Sequence, residues 1–587
     1  MNNKIWKLHS SSPYVSRFAL ETGITPLKAQ LLLNRGISDR DSAISFLSPR
    51  LSGLLDPMLL KDMDKAVDAI LFAIEHRENI LVYGDYDADG ITATAVLLNL
   101  FSSLNIPASS YIPDRLAEGY GLNMDAVKKL SDRGVNLIIT VDCGIANRRE
   151  IEYALGLGMK VVVTDHHQIP NDFKPVCPVV NPNRTDSSFP YRELAGVGVA
   201  FFLAVAVRSA LRERTGFNGL PEPDLKKYLD LVAIGTVGDM VPLTDQNRIL
   251  TLHGIRAMKK SVWPGIRAMK AMSGVDEMAI SSYDLAFRLA PRLNAPGRMG
   301  DKNAGLLALT TDSDSFAAEM ARDLNNINIQ RQSIEGEIFN EIEETMMPGV
   351  DLKKRKIIVL ARPGWHRGVL GIVASKLLER YHRPCLLLSL DGDKAVGSGR
   401  SVDGFNLFKA LSGMEHLIEK FGGHYHAAGC TIKASNMDEF QKGLEELAYN
   451  ELRDEDLIPS IRVDAQVNLS DLTLESVADI RSLEPFGSGN PDPTFYSEGL
   501  QVLDSRVAGE RHLILKIRQG STVMDTVGFN LYHLHPLKKA TINMIYSPEI
   551  NSWNGNRKVR LRIVDLEIAG EDTKLIRLGT EQLSKSN

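Results

Sequence analysis

Three short β-branched runs, NILVY, NLIITV and KVVVT, recur between Asn79 and Thr164, separated by amphipathic stretches such as ITATAVLLNLFSSL and NRREIEYALGLG. Strand, helix, strand at this spacing predicts a parallel sheet covered by helices on both faces, extending to about Gly238. In such a sheet the carboxyl ends of the strands converge on one crevice. Here those ends carry acids and imidazoles: GDYDADG delivers Asp85, Asp87 and Asp89, VDCG delivers Asp142, and TDHH delivers Asp165, His166 and His167. The apolar run LVAIGTVGDMVPL is read as a further strand, delivering Asp239. Any one of these residues is ordinary as a turn or cap, but their shared placement points to a site.

Asp85, Asp87 and Asp89 repel one another unless solvent or a cation intervenes. Their spacing matches the opening of a calcium EF-hand loop, which needs a bidentate Glu at position 12 and a preceding helix. Position 12 is Val96 and the preceding segment reads as a strand, so that reading fails. Carboxylates with an imidazole suit Mn²⁺ or Mg²⁺ better than Zn²⁺. With more carboxylates than one ion needs, two divalent cations bridged by a shared aspartate are expected, and with them metal-assisted phosphoester hydrolysis by an activated water.

The chain has 587 residues, enough for three or four domains. Residues 1–75 read as a helical region, 76–310 as the metal domain, and 311–346 as a connecting helix. A second α/β unit spans 347–455, opening with KIIVLA and continuing through GVLGIVASKLLERY to CLLLSL. From 456 to 587 alternating strands with a turn at Asn554-Gly555 predict a small β-barrel. The net charge of −5 argues against a uniformly basic DNA-coating protein, yet Asp351 to Lys433 holds 14 Lys and Arg against 7 Asp and Glu. Four scattered cysteines form no CxxC pair, and the apolar run from Ala195 to Val207 is too short to span a bilayer. A cytoplasmic protein without membrane association is expected.

The motifs DYDADG, VDCG, DHH and GDMVPL, in this order, resemble those of the DHH phosphoesterase superfamily. APRLNAPGR, GWHRGVLGIVASKL, GSGRS, FGGHYHAAG and EPFGSGNPDPTF further resemble its bacterial RecJ branch, from about residue 50 onward. The resemblance implies a DHH domain joined by a long helix to a DHHA1-type domain, then an oligonucleotide-binding (OB) barrel. It also implies a single-strand-specific DNA exonuclease working 5′ to 3′ in recombination and repair. By matching motif, Asp87, Asp89, Asp142, His166 and Asp239 become metal ligands, with Asp142 the bridge and Asp85 completing one shell. His167 is expected to face the scissile phosphate and Asp165 to orient its neighbours.

Substrate contacts are expected from Arg115, and from Ser398 and Arg400 in a glycine-rich loop, as a terminal 5′-phosphate pocket that would fix mononucleotides as product. Arg292, Asn294 and Arg298 are read on a stiffened loop near the metals. His366 and Arg367 are read at a helix start that could meet phosphates, and FGGHYHAAG either as small residues that let a phosphate approach, with His424 as a polar contact, or as a tight glycine turn. In the barrel, Phe529, Tyr532, Tyr546 and Trp553 are available to stack bases, although aromatics in a small barrel more often form its core, and Lys516 and Arg518 lie on an alternating strand. Single-stranded DNA is the expected partner, with a helicase and a single-strand-binding protein, and a monomer suffices. Two rival readings are weaker. A DHH enzyme for small substrates would not require the third domain. A scaffold that had lost catalysis would have lost metal ligands, and all five are present.

Overall fold

The computed structural model describes residues 4–578 apart from 116, 277–278, 554–555 and 571–574. The chain divides into two compact units, residues 51–457 and residues 1–50 with 458–587.

The first unit holds two sheets. One is fully parallel, ordered Ala108–Tyr111, Ile80–Tyr83, Leu137–Val141, Lys160–Thr164, Val179–Val180. Strands Ile80–Tyr83 and Leu137–Val141 are buried throughout, as their unbroken apolar runs require of a sheet covered on both faces. The chain order reverses between these two neighbours, which opens a crevice beyond their carboxyl ends. Helix Ala88–Ser103 starts there, capped by Asp87, whose side chain accepts from the backbone N–H groups of Asp89 and Gly90. Helix Gly196–Arg214 carries the longest apolar run and is buried along most of its length. No helix among the described residues is long and apolar enough to cross a membrane.

The segment expected as a strand before Asp239 is instead helix Leu229–Gly238, with Asp239 at its carboxyl end. An apolar run of this length lacks the polar positions that separate a period of 3.6 from a period of 2. The loop expected around Arg292, Asn294 and Arg298 is also a helix, Ala290–Met299, with Pro296 inside it.

Helix Asp314–Glu341 leads to the second sheet, ordered Ile418–His424, Ala427–Lys433, Lys394–Arg400, Cys385–Asp391, Ile358–Pro363. Only the last pair is parallel. The glycine-rich loop predicted for GSGRS is the central strand Lys394–Arg400. A Cβ on Gly397 would sit 2.8 Å from the Leu388 side chain and one on Gly399 2.7 Å from that of Leu407, so these glycines serve packing. Likewise FGGHYHAAG forms two paired strands rather than a glycine turn.

In the second unit, five strands from Phe495–Ala508 to Asn556–Ile568 close into a barrel. Phe495–Ala508 pairs with Thr541–Trp553, and Thr522–Gly528 with Asn556–Ile568. The expected 1–75 region is divided between the units. Strand Ile5–His9 pairs with Ser460–Val463 and Leu575–Leu578, and Phe18, Leu31 and Leu32 share a core with the barrel residues Leu513 and Leu515. Residues from Leu51 onward belong to the other unit. Pairing this distant in sequence leaves no local signal. Tyr546 is in the barrel core, whereas Phe529 and Tyr532 are exposed. The side chain of Trp553 and the Asn554-Gly555 turn lie outside the described residues.

Candidate active site

The residues at the strand ends meet. Oxygens of Asp85, Asp87 and Asp142 lie within 4.8 Å of one another, as do the ligand atoms of Asp89, His166 and Asp239. The two groups touch where the His166 Nε2 stands 3.1 Å from the Asp142 Oδ1. From the same nitrogen Asp239 is 3.6 Å away and Asp89 3.9 Å.

Local backbone chemistry fixes each group. Asp142 adopts φ 61°, left-handed for a residue with a side chain. A Cβ on Gly196 would fall 2.6 Å from its Oδ1, so glycine there lets the carboxylate in. Asp89 accepts hydrogen bonds from the backbone N–H groups of Gly196, at 2.6 Å, and Val197, at 2.9 Å, the amino end of helix Gly196–Arg214. Gly90 presses on Asp85, where an added Cβ would lie 2.6 Å from the aspartate's own Cβ.

The electrostatics are strained in one direction. Burial pushes Asp142, Asp85 and Asp239 well above the usual carboxylate range, and repulsion from neighbouring aspartates adds to it. Asp89 is raised to about 7 by burial and Asp87. The buried Asp85 Oδ1, Asp142 Oδ1 and His166 Nε2 have no hydrogen-bond partner. Burial and the charge of His167 hold His166 down to about 4, so its imidazole is neutral and its Nε2 a lone-pair donor. Orphaned oxygens around a neutral imidazole are a donor set for hard divalent cations, and these residues fit such ions.

Asp165 and His167 differ from the rest. Asp165 Oδ1 accepts from the backbone N–H groups of His166 and His167 at 2.7 and 3.0 Å and meets His167 Nδ1 at 2.8 Å. Its Oδ2 accepts from the Ile145 N–H at 2.9 Å. Burial alone would raise Asp165, but its hydrogen bond to and the charge of His167 bring it below the usual value. Burial lowers His167, and Asp165 overcomes this, raising it to about 9. Sequence reasoning missed Tyr120, whose hydroxyl lies 3.0 Å from His167 Nδ1 and donates to the Asp142 carbonyl at 3.0 Å. Its signal was available, an aromatic between two glycines in EGYG.

A positive cluster adjoins this negative one. Arg298 is lowered to about 10 by burial, then by the charges of Arg115, Arg331 and Arg400. Its Nη1 donates to the Gly368 carbonyl at 3.4 Å, and Gly368 has no room for a Cβ beside the Arg298 carbonyl. Arg115 lies 5.0 Å over the Tyr86 ring. Ser398 and Arg400 share the edge of Gly371, where a Cβ would meet them at 2.9 and 3.1 Å. Arg331 was missed because nothing distinguishes it within a charged helix. Its guanidinium is held by Glu335 at 2.6 Å and Asn328 at 2.7 Å.

The other expected contacts are placed differently. Asn294 Oδ1 accepts from the Ala88 N–H at 2.7 Å and thus braces the aspartate loop. Arg292 bonds Asn325 and the Arg288 carbonyl. His366 Nδ1 accepts from the Gly368 N–H at 3.2 Å, in the turn that precedes helix Leu370–Tyr381. Arg367 is ion-paired to Asp391 at 2.6 Å on the surface, and His424 ends an exposed strand.

Comparisons with known proteins agree with this architecture. Residues 79–236 match the DHH family, N-terminal domain, residues 354–450 the DHHA1 domain, and residues 463–565 the RecJ OB domain. The chain is 39% identical over 553 residues to the single-stranded-DNA-specific exonuclease RecJ of Bacillus subtilis, covering 93% of this chain and 68% of that one. It is 34% identical over 564 residues to RecJ of Escherichia coli, covering 93% and 96%. The crystal structure of RecJ from Thermus thermophilus with Mn²⁺ superposes with a TM-score of 0.82 at 30% identity, covering 96% of this chain and 80% of that one. Its complex with Mg²⁺ gives 0.77 at 28% identity, covering 96% and 78%.

Proposed function

The chain belongs to the RecJ family of single-stranded-DNA-specific exonucleases, and on that premise we propose that it digests single strands from the 5′ end, releasing 5′-mononucleotides, with two divalent cations, in recombination and repair. The observation that carries this reading is the juxtaposition of orphaned, mutually repelling carboxylates with a cluster of half-buried arginines. One half suits Mn²⁺ or Mg²⁺ and the other a terminal phosphate.

Asp85, Asp87 and Asp142 would hold one cation, and Asp89, His166 and Asp239 the other, with Asp142 shared. When bound, such a pair supplies Lewis-acid stabilisation of the phosphodiester and a more acidic water. The chain's own groups do the rest. Asp165 fixes the His167 ring and favours its protonated form, so that it can donate to the scissile phosphate or the leaving oxygen. Arg298, Arg400 and Arg115, with Ser398, would seat the 5′-phosphate and so set the one-nucleotide step. The expected domain limits at 310, 346 and 455 would assign metal chemistry, connection, phosphate binding and strand capture in turn, while the limit at 75 gives way to one at 50. A monomer in the cytoplasm, supplied by a helicase and a single-strand-binding protein, completes it.

The test is a time course with Mn²⁺ on 5′-phosphorylated single-stranded DNA, labelled at one end or the other. Immediate release of mononucleotide from the 5′ label, with a progressively shortening 3′-labelled ladder, is expected. Hydrolysis of dinucleotides without attack on long strands would move the protein to the small-substrate enzymes, and comparable rates on blunt duplex would refute single-strand selection.

A further inference from the structure

Helix Ala290–Met299 runs past every part of the site. At its carboxyl end Arg298 adjoins the other half-buried arginines, and in its middle Asn294 holds the Ala88 N–H of the aspartate loop. Toward its amino end Ala290 packs against Gly238, the neighbour of Asp239, where an added Cβ would come within 3.2 Å. Ten residues at about 1.5 Å each make the helix roughly 15 Å long, so it spans from the phosphate-binding end to the far side of the carboxylates.

On that far side the chain is wound as a π turn, Leu285–Leu289, an irregularity frequent at functional sites. It presents Tyr283 and Phe287, which are 62% and 67% exposed, the latter the most exposed phenylalanine among the described residues. Their rings sit side by side, 4.7 Å apart with a 35° tilt. Arginines flank them: Arg288 pairs with Asp284 at 3.3 Å, and Arg292 bonds Asn325. Met240, next to Asp239 in sequence, is also 76% exposed. A monomer gains nothing by leaving two aromatics in water beside its catalytic centre.

We propose that Tyr283 and Phe287 form a stacking platform for bases of the substrate strand on the 3′ side of the scissile bond. Flat π faces accept any base, and neighbouring guanidinium groups suit its phosphates, which is the chemistry of sequence-tolerant single-strand binding. The inference rests on the 5′-to-3′ reading, since that reading places the strand's terminus at Arg298 and its continuation at the opposite end of the helix.

The experiment compares the unsubstituted protein with Tyr283→Ala/Phe287→Ala and with Phe287→Trp on 5′-phosphorylated single strands of two to twelve nucleotides, with Mn²⁺. For the double variant, KM on the twelve-mer should rise roughly 5- to 100-fold while kcat is retained, the scale of one lost stacking contact. Its kcat/KM on the dinucleotide, too short to pass the platform, should be unchanged, and Phe287→Trp should keep the long-strand KM. An unchanged KM on the twelve-mer overturns the platform, as does an equal loss at both lengths, which would mark a structural role. Direction is read from the end labels in the same reactions. Digestion from the 3′ end by the unsubstituted protein would overturn the underlying reading, whereas 5′-to-3′ digestion with indifferent variants overturns the platform alone.

Discussion

The two sheets of the larger unit treat buried charge oppositely. In the parallel sheet, carboxylates gather at the strand ends until burial and mutual repulsion drive them toward protonation. At the largely antiparallel sheet, Gly371 leaves room for Arg400 at the end of strand Lys394–Arg400, and there, as at Arg298 on the adjoining helix Ala290–Met299, burial together with like charge lowers the guanidinium. Each arrangement costs folding free energy, because like charges in a poorly solvated place destabilise the fold unless an opposite charge arrives. On the proposed function, one half calls for cations and the other for an anion. A metal-bearing phosphate ester supplies both.

The comparison breaks first at Asp142. Asp142→Ala should lower exonuclease rate by more than about 100-fold, beyond what losing a partner outside the ligand set costs, while single-strand binding stays measurable. It should also abolish the rise in melting temperature that Mn²⁺ gives the unsubstituted protein. Full activity in that variant, or an undiminished thermal shift, would end the bridging role.

On the positive side the effect is smaller and falls on substrate choice. Arg298→Ala removes one guanidinium from the cluster and with it charge-assisted bonds of about 1.5–3 kcal/mol. The preference for a 5′-phosphate over a 5′-hydroxyl end should therefore fall about 10- to 100-fold, mainly through KM. If both ends lose rate equally, Arg298 supports the fold or the metal loop instead of reading the terminal phosphate.

Much of this contrast was legible in the sequence, for identifiable reasons. Asp85, Asp87, Asp89, Asp142 and His166 follow buried β-branched strands, whose carboxyl ends must converge in a parallel sheet. Asp239 was placed correctly beside them although its segment is a helix, since a uniformly apolar run hides its period. Arg331 was not seen, because its place in the cluster comes from tertiary proximity, and Tyr120 was passed over although EGYG marks it. Ser398 and Arg400 were found as residues but assigned to a loop, because alternating glycines in GSGRS read as flexibility when they serve close strand packing. The attachment of residues 1–50 to the barrel was invisible for a related reason, since strand Ile5–His9 pairs with partners more than 450 positions away.

The smallest effect sharpens the comparison by supplying a control. Asp230 is also a buried carboxylate, yet it accepts hydrogen bonds from Ser261 Oγ at 2.7 Å and the Trp263 indole N–H at 3.1 Å. Burial raises it from 3.8 to about 6, with those bonds opposing the rise. A raised carboxylate favours the neutral form in the folded state, so its stabilising contribution is complete below about pH 4 and is lost as pH climbs through 6. Two pKa units correspond to about 3 kcal/mol at most. Asp230→Asn stays neutral, so its denaturation midpoint relative to the unsubstituted protein should move upward between pH 4 and pH 8, by about 1–3 kcal/mol in stability, with exonuclease rate intact. Parallel pH curves would mean that Asp230 is ionised without cost. A loss of activity would mean that a buried carboxylate outside the strand-end cluster serves the chemistry as well, and that convergence at those ends is not what singles out Asp85 and Asp142.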